Sequence, residues 1–137
     1  KPATVYFQTY NTKSNIISEI TNVNPDIFLE KELVLRKKNN LPPFERFISI
    51  ILSGKNQKTI ESFGYKLKEK LDNNLNAKIL GPVIAPIFKI NKNFRYRILV
   101  RSKKTQKIQK NLSSILNNFK NQKEIKLAVD VDPISFN

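Results

Sequence analysis

The sequence contains no cysteine and no histidine. Disulfide frameworks, zinc sites, thiol nucleophiles and imidazole acid–base chemistry are therefore excluded from this stretch, and its serines have no histidine to activate them. Methionine and tryptophan are missing too, and the first residue is Lys1, so the chain is expected to be a piece of a longer protein. Glycine occurs only as Gly54, Gly64 and Gly81. Neither of the phosphate-cradling patterns G-x-x-x-x-G-K-[ST] and G-x-G-x-x-G can be built from those positions. No apolar run approaches the roughly 20 residues that a membrane span needs. No basic-then-apolar leader opens the chain. A soluble, cytoplasmic protein without a membrane partner, and with no cofactor, metal or catalytic group in this stretch, is the expectation.

Acidic residues are the other scarcity. Asp and Glu number 11 against 25 Lys and Arg, giving a net charge of +14 and a pI near 10.1. Such a balance favours a polyanionic partner: nucleic acid, an acidic membrane surface or an acidic peptide. A Lys-rich solvated surface is the bland alternative, since most of the cations are lysines. The length of 137 residues allows one domain with a real core and a flanking piece.

What is present has a rhythm. "ATVYFQTY" (3–10) reads as a strand, being rich in β-branched and aromatic residues. A helix follows, with Asn11 or Thr12 as its cap. "NPDIFLEKELVLRKK" reads as a second helix: Asn24 suits the cap, Pro25 the first position, Asp26 the first turn, and Arg36, Lys37 and Lys38 the last. "NNLPP" (39–43) stops it. Charge supports a boundary there. Residues 1–42 hold 6 basic and 4 acidic residues, whereas 43–137 hold 19 and 7.

The second part reads β-α-β-β-α-β. "FERFISIILSG" (44–54) is apolar on both faces, as a central strand would be. Residues 56–75 form an amphipathic helix through Ile60, Phe63, Leu67 and Leu71, with Gly64 permitting close packing. Residues 77–90 are extended, but Pro82 and Pro86 place them at a sheet edge. "NKN" (91–93) turns the chain into 94–102, where Phe94, Tyr96, Ile98 and Val100 alternate with Arg95, Arg97, Leu99 and Arg101. A helix over 105–120 carries Ile108, Leu112, Ile115, Leu116 and Phe119, and a last strand over 124–136 carries Ile125, Leu127, Val129 and Val131. The expected fold class is α+β: a ferredoxin-like domain with an antiparallel four-stranded sheet and two helices on one face, preceded by a strand and a helical connector.

Between Asp72 and Glu124 no acidic residue occurs, yet nine cations fall within 89–110: Lys89, Lys92, Arg95, Arg97, Arg101, Lys103, Lys104, Lys107 and Lys110. Ordinary surfaces intersperse the signs, so this concentration predicts one positive patch. If the helices cover one face, Arg95, Arg97 and Arg101 lie on the open face, where single-stranded RNA modules of this topology bind. Phe94 and Tyr96 should point the other way, so phosphate contact is favoured over base stacking. Lys103, Lys107 and Lys110 recur at spacings of four and three, a ridge for phosphates or an acidic peptide. Asp130 and Asp132 would lie about 7 Å apart on one strand face. Two carboxylates make an incomplete cation site. Their expected role is structural, opposite Arg95, Arg97 or Arg101.

"VYFQTYN", "LPPFERF", "SGK", "ILGPVIAPIFKINKNFRYRILVRS" and the terminal "DVDPISF" follow one another as in the C-terminal end of the primosomal protein N-prime family of bacterial replication-restart helicases, which the chain resembles over nearly its whole length. The resemblance implies that residues 1–10 are the last strand of the second helicase lobe, 11–41 a helical connector and 42–137 a C-terminal domain of ferredoxin-like topology. It implies an ATP-dependent, three-prime-to-five-prime DNA helicase whose ATP, magnesium and zinc sites precede this stretch. It also implies partners: branched or forked DNA, single-stranded DNA-binding protein, and other primosome proteins. The family's site for the acidic tail of single-stranded DNA-binding protein uses a basic residue and an amide near the start of the last helix. Gln106 and Lys110 match those positions with the two exchanged, and Lys103, Lys104 and Lys107 supply further charge. DNA contact falls to Arg95, Arg97, Arg101, Lys89 and Lys92. An RNA-binding or ribosome-associated module would share the same fold and charge.

Overall fold

A computed structural model describes residues 3–6, 8–11, 13, 16–17, 25–105, 107–119, 122 and 124–134. By contact the chain divides into two units, Lys1–Asn39 and Asn40–Asn137.

In the first unit, residues 3–6 and 8–10 are without regular secondary structure, contrary to the strand expected over 3–10. Apolar content makes a segment suitable for a strand, but only a neighbouring ladder makes it one. Here Val5, Tyr6 and Tyr10 are largely exposed. Most of the first expected helix lies outside the described residues, as does Thr12, one of its two candidate caps; Ile16 and Ile17 are helical. Helix α1 spans Pro25–Lys38, with Asp26 in its first turn and Arg36, Lys37 and Lys38 in its last, charges that complement the helix dipole. Its expected cap, Asn24, is outside the described residues. The helix ends where the Asn39 side-chain amide and backbone N–H both donate to the Leu35 carbonyl, at 2.9 and 3.0 Å. Asn40 then takes a left-handed φ of 52°, the usual way out of a helix.

The second unit contains β1 (Glu45–Gly54), α2 (Gln57–Asn74), β2 (Lys78–Ile90), β3 (Asn93–Lys103), α3 (Gln109–Phe119) and β4 (Ile125–Val131). All strand pairs are antiparallel and the order across the sheet is β2-β3-β1-β4. This is the β-α-β-β-α-β plan read from the sequence, with β1 central and proline-bearing β2 at an edge. Asn56 caps α2 by accepting from the Thr59 backbone N–H at 3.1 Å, replacing a partner that the first turn lacks. On the inner face Ile48 pairs with Val100, Ile50 with Ile98 and Leu52 with Tyr96. These meet Ile60, Phe63, Leu67 and Leu71 of α2 and Leu112, Ile115 and Leu116 of α3 in one core. Burying each large aliphatic side chain there is worth about 1.5–3 kcal/mol. Tyr96 is buried to its hydroxyl, which accepts from the Gln57 amide at 3.0 Å.

Two glycines shape the β2 side. At Gly64 a Cβ would stand 2.9 Å from Pro82 Cβ and 3.1 Å from Leu52 Cδ1, so α2 lies against β2 with no room for a side chain. Gly81 has φ of +102°, and a Cβ there would meet the Arg97 carbonyl at 2.6 Å. The β2–β3 register shifts between Leu80 and Val83 and again between Ile84 and Lys89, around the two prolines. The hairpin closes through Asn91 and Lys92, both at positive φ, as a two-residue primed turn demands.

α3 is shorter than the 105–120 expected. The chain leaves β3 through a turn at Lys104 and Thr105, and the first helical bond runs from the Leu112 N–H to the Ile108 carbonyl at 2.9 Å. β4 also stops early, at Val131, because Asp132 adopts φ of 53°, which no strand continues through.

Candidate nucleic-acid interface

Strand alternation carries Arg95, Arg97 and Arg101 onto the face of the sheet away from the helices, while Tyr96, Ile98 and Val100 enter the core. Register then extends that outer face across all four strands. Arg95 stands opposite Ser53, Arg97 between Ile51 and Val83, and Arg101 between Phe47 and Lys78. On the far side Ser53 faces Lys126 and Ser49 faces Asp130. The strands thus place six cations on this face (Lys78, Arg95, Arg97, Arg101, Lys103 and Lys126) with two carboxylates, Glu45 and Asp130. Lys78 and Lys126 belong to the patch but were not singled out from sequence. Only the pairing register places them beside the arginines.

The three arginines differ in what holds them. Arg101 is anchored: its Nε and Nη2 donate to Glu45 Oε2 at 3.2 and 3.1 Å, and Nη2 also donates to the Asn40 carbonyl at 3.0 Å. Its guanidinium lies 5.1 Å from the Phe47 ring centroid. Arg95 donates one bond, from Nη1 to the Ile87 carbonyl at 3.3 Å. A cleft at the anchored end brings Lys78 and Lys103 beside Arg101, Glu45 and Asn40.

The remaining expected site residues scatter. Lys89 pairs with Phe94 and lies over its ring at 4.7 Å, so it occupies the opposite side of the sheet from the arginines. Lys92 sits in the hairpin turn. The ridge expected through Lys103, Lys107 and Lys110 does not form, because those residues are not on one helix. Lys103 ends β3, Lys104 is in the turn, Lys107 precedes α3, and Lys110 alone lies within it. All four are exposed. Gln106 lies outside the described residues. Beside the start of α3 runs an apolar groove lined by Gln109, Leu112, Leu116, Leu127, Val129 and Val131.

The terminal aspartates part company. Asp130 stays on the outer face, exposed, whereas Asp132 pairs with Arg46 at 3.1 Å and donates its backbone N–H to the Phe47 carbonyl at 2.8 Å. The partner of Asp132 is therefore Arg46 and not one of the three β3 arginines, since the positive φ at Asp132 breaks the alternation that would have kept the two carboxylates together. The contact joins "LPPFERF" to "DVDP": Pro42, Pro43, Arg46 and Asp132 line one corner pocket. Among the described residues no group of three or more acids could hold a metal ion. With neither Cys nor His, the chain does not offer a zinc donor set.

Fold and face together define a ferredoxin-like domain with a predominantly basic open sheet surface. The family model for the Primosomal protein N C-terminal domain matches residues 37–134, and the chain belongs to that family. Its relatives include proteins named replication restart protein PriA. That of Rickettsia felis is 35% identical over 132 residues, covering 96% of this chain and 20% of the relative. That of Borreliella burgdorferi is 32% identical over 133 residues, covering 96% and 20%. That of Bacillus subtilis is 28% identical over 141 residues, covering 97% and 17%. The chain thus spans about a fifth of the length of these relatives. Among the described residues no helix is long and apolar enough to cross a membrane.

Proposed function

We propose that this chain is the DNA- and partner-binding C-terminal part of a replication-restart helicase, with no active site of its own. ATP hydrolysis and its magnesium, and any zinc, belong in this reading to other parts of the protein. Residues 1–10 would complete a helicase lobe, with 11–41 as the connector. The observation that carries the reading is the clustering of cations on an open sheet face, in a family whose relatives are named for replication restart.

The face suits phosphate contact. Its aromatic member among the described residues, Phe47, is buried and covered by Arg101, so among those residues the strands offer this face no exposed ring on which a base could stack. Arg95, Arg97 and Lys78 are the groups offered to branched DNA, and Arg101 sets the end of the row. The acidic tail of single-stranded DNA-binding protein is assigned to the start of α3. There Lys107 and Lys110 lie on either side, in sequence, of Gln109, which lines the apolar groove, and Lys104 precedes them in the turn.

Binding of this kind is steeply salt-dependent, each neutralised duplex phosphate adding about 0.9 to the slope of log K against log salt. Replacing Arg95→Glu together with Arg97→Glu should weaken forked-DNA binding about tenfold or more at moderate salt and flatten that slope by about 2. Fluorescence anisotropy across a salt series reads both. Undiminished affinity would remove the sheet face from the interface. Competition with structured RNA in the same assay separates a DNA module from a ribosome-associated one. Lys107→Glu with Lys110→Glu should weaken an acidic tail peptide while leaving the DNA slope unchanged.

A further inference from the structure

We propose that β4 is a self-association edge, pairing antiparallel with β4 of a second copy of this chain about a two-fold axis at Ala128. β4 ends the sheet, and from Lys126 to Val131 every residue except Leu127 is exposed. Unlike β2, it holds no proline and no register shift along its pairing with β1. Exposed edges of this sort invite another strand.

The hydrogen-bonding direction follows from one bond. Asp132 donates to the Phe47 carbonyl, and the register places those two residues directly opposite each other. Alternation along an antiparallel pair then turns the backbone groups of Asp130, Ala128 and Lys126 toward β1. Those of Ile125, Leu127, Val129 and Val131 point outward, to the open edge. Full overlap of two β4 strands places Ala128 against its own copy, Leu127 against Val129, and Ile125 against Val131. Each of these latter pairs brings two outward-pointing residues together, as a hydrogen-bonded pair requires.

The side chains match in the same register. Lys126 falls opposite Asp130 of the second copy, twice by symmetry, in the closely spaced non-hydrogen-bonded pairs where side chains approach best. At the axis itself stands alanine, which crowds nothing. On the helix side Val129 and Val131, 44% and 45% exposed, would extend the apolar groove along α3 into its symmetry mate. One register thus satisfies backbone, charge and apolar surface together, which an isologous contact must do with a single patch. The net charge of +14 opposes association, so the local matches have to carry it.

Sedimentation equilibrium of the chain, from micromolar to near-millimolar concentration, should show a monomer–dimer equilibrium. Lys126→Asp and Asp130→Lys should each weaken it about tenfold, by setting like charges opposite each other. The double exchange, Lys126→Asp with Asp130→Lys, should restore it, because the pairs re-form in reverse. Val129→Pro removes an outward N–H without touching a bond to β1, and should abolish the dimer while the melting transition persists. A wild-type chain that stays monomeric throughout overturns the proposal. So does a dimer indifferent to the single reversals, or a double exchange no tighter than either single, which would assign the edge to a different strand.

Discussion

The two faces of the sheet are built from the same four strands and obey opposite rules. Inward, Ile48, Ile50, Leu52, Ile98 and Val100 are wholly buried, and they share one core with residues of both helices. Outward, the intervening residues are mostly charged, small or half-exposed, and register decides which of them stand together. Alternation lets a single strand, β3, belong to both. The lesson is that inner positions decide whether the domain folds, while outer positions are free to carry a recognition surface. Arg101 is an exception, because its guanidinium closes the end of the sheet through Glu45 and Asn40.

Mutations can break that contrast. The largest effect should come from Ile50→Ala, which leaves a void in the core cluster and should cost about 2–5 kcal/mol in urea denaturation. Gly64→Leu should cost about 1–3 kcal/mol by the same measurement, since its Cβ alone collides with Pro82 and the helix has to lift from β2. Smallest is Asp132→Asn, which weakens a half-exposed pair with Arg46 and should cost about 0.5 kcal/mol, with Asp130→Asn close to neutral beside it. Equal losses at the two aspartates would show that Asp130 has a structural partner of its own.

The core and the order of elements along the chain were legible because periodicity carries them: a period near two in β3, and spacings of three and four in α2 and α3. What escaped depends on pairing. Pro82 and Pro86 announced irregularity in β2, but not how many residues the shifts would absorb. The placing of Lys78 beside Arg101 could not be counted from the turn, whereas Lys89 falls on the Phe94 side because the turn is two residues, Asn91 and Lys92, and not the three of 91–93. The start of α3 was placed too early, because Lys103, Lys107 and Lys110 recur at helical spacing while the chain is still leaving β3. Asp132 was placed by alternation, which its positive φ cancels. At 3–10 composition suggested a strand, but hydrogen-bond partners make one, and composition does not reveal them.

The Arg46–Asp132 corner has a mechanical consequence. It brings the entry of β1 and the exit of β4 to one place, so tension applied between residues 44 and 132 would pull those strands apart crosswise, opening their ladder one rung at a time from that corner. An unzipping geometry yields at lower load than one in which all rungs are sheared at once. The ion pair is its first latch.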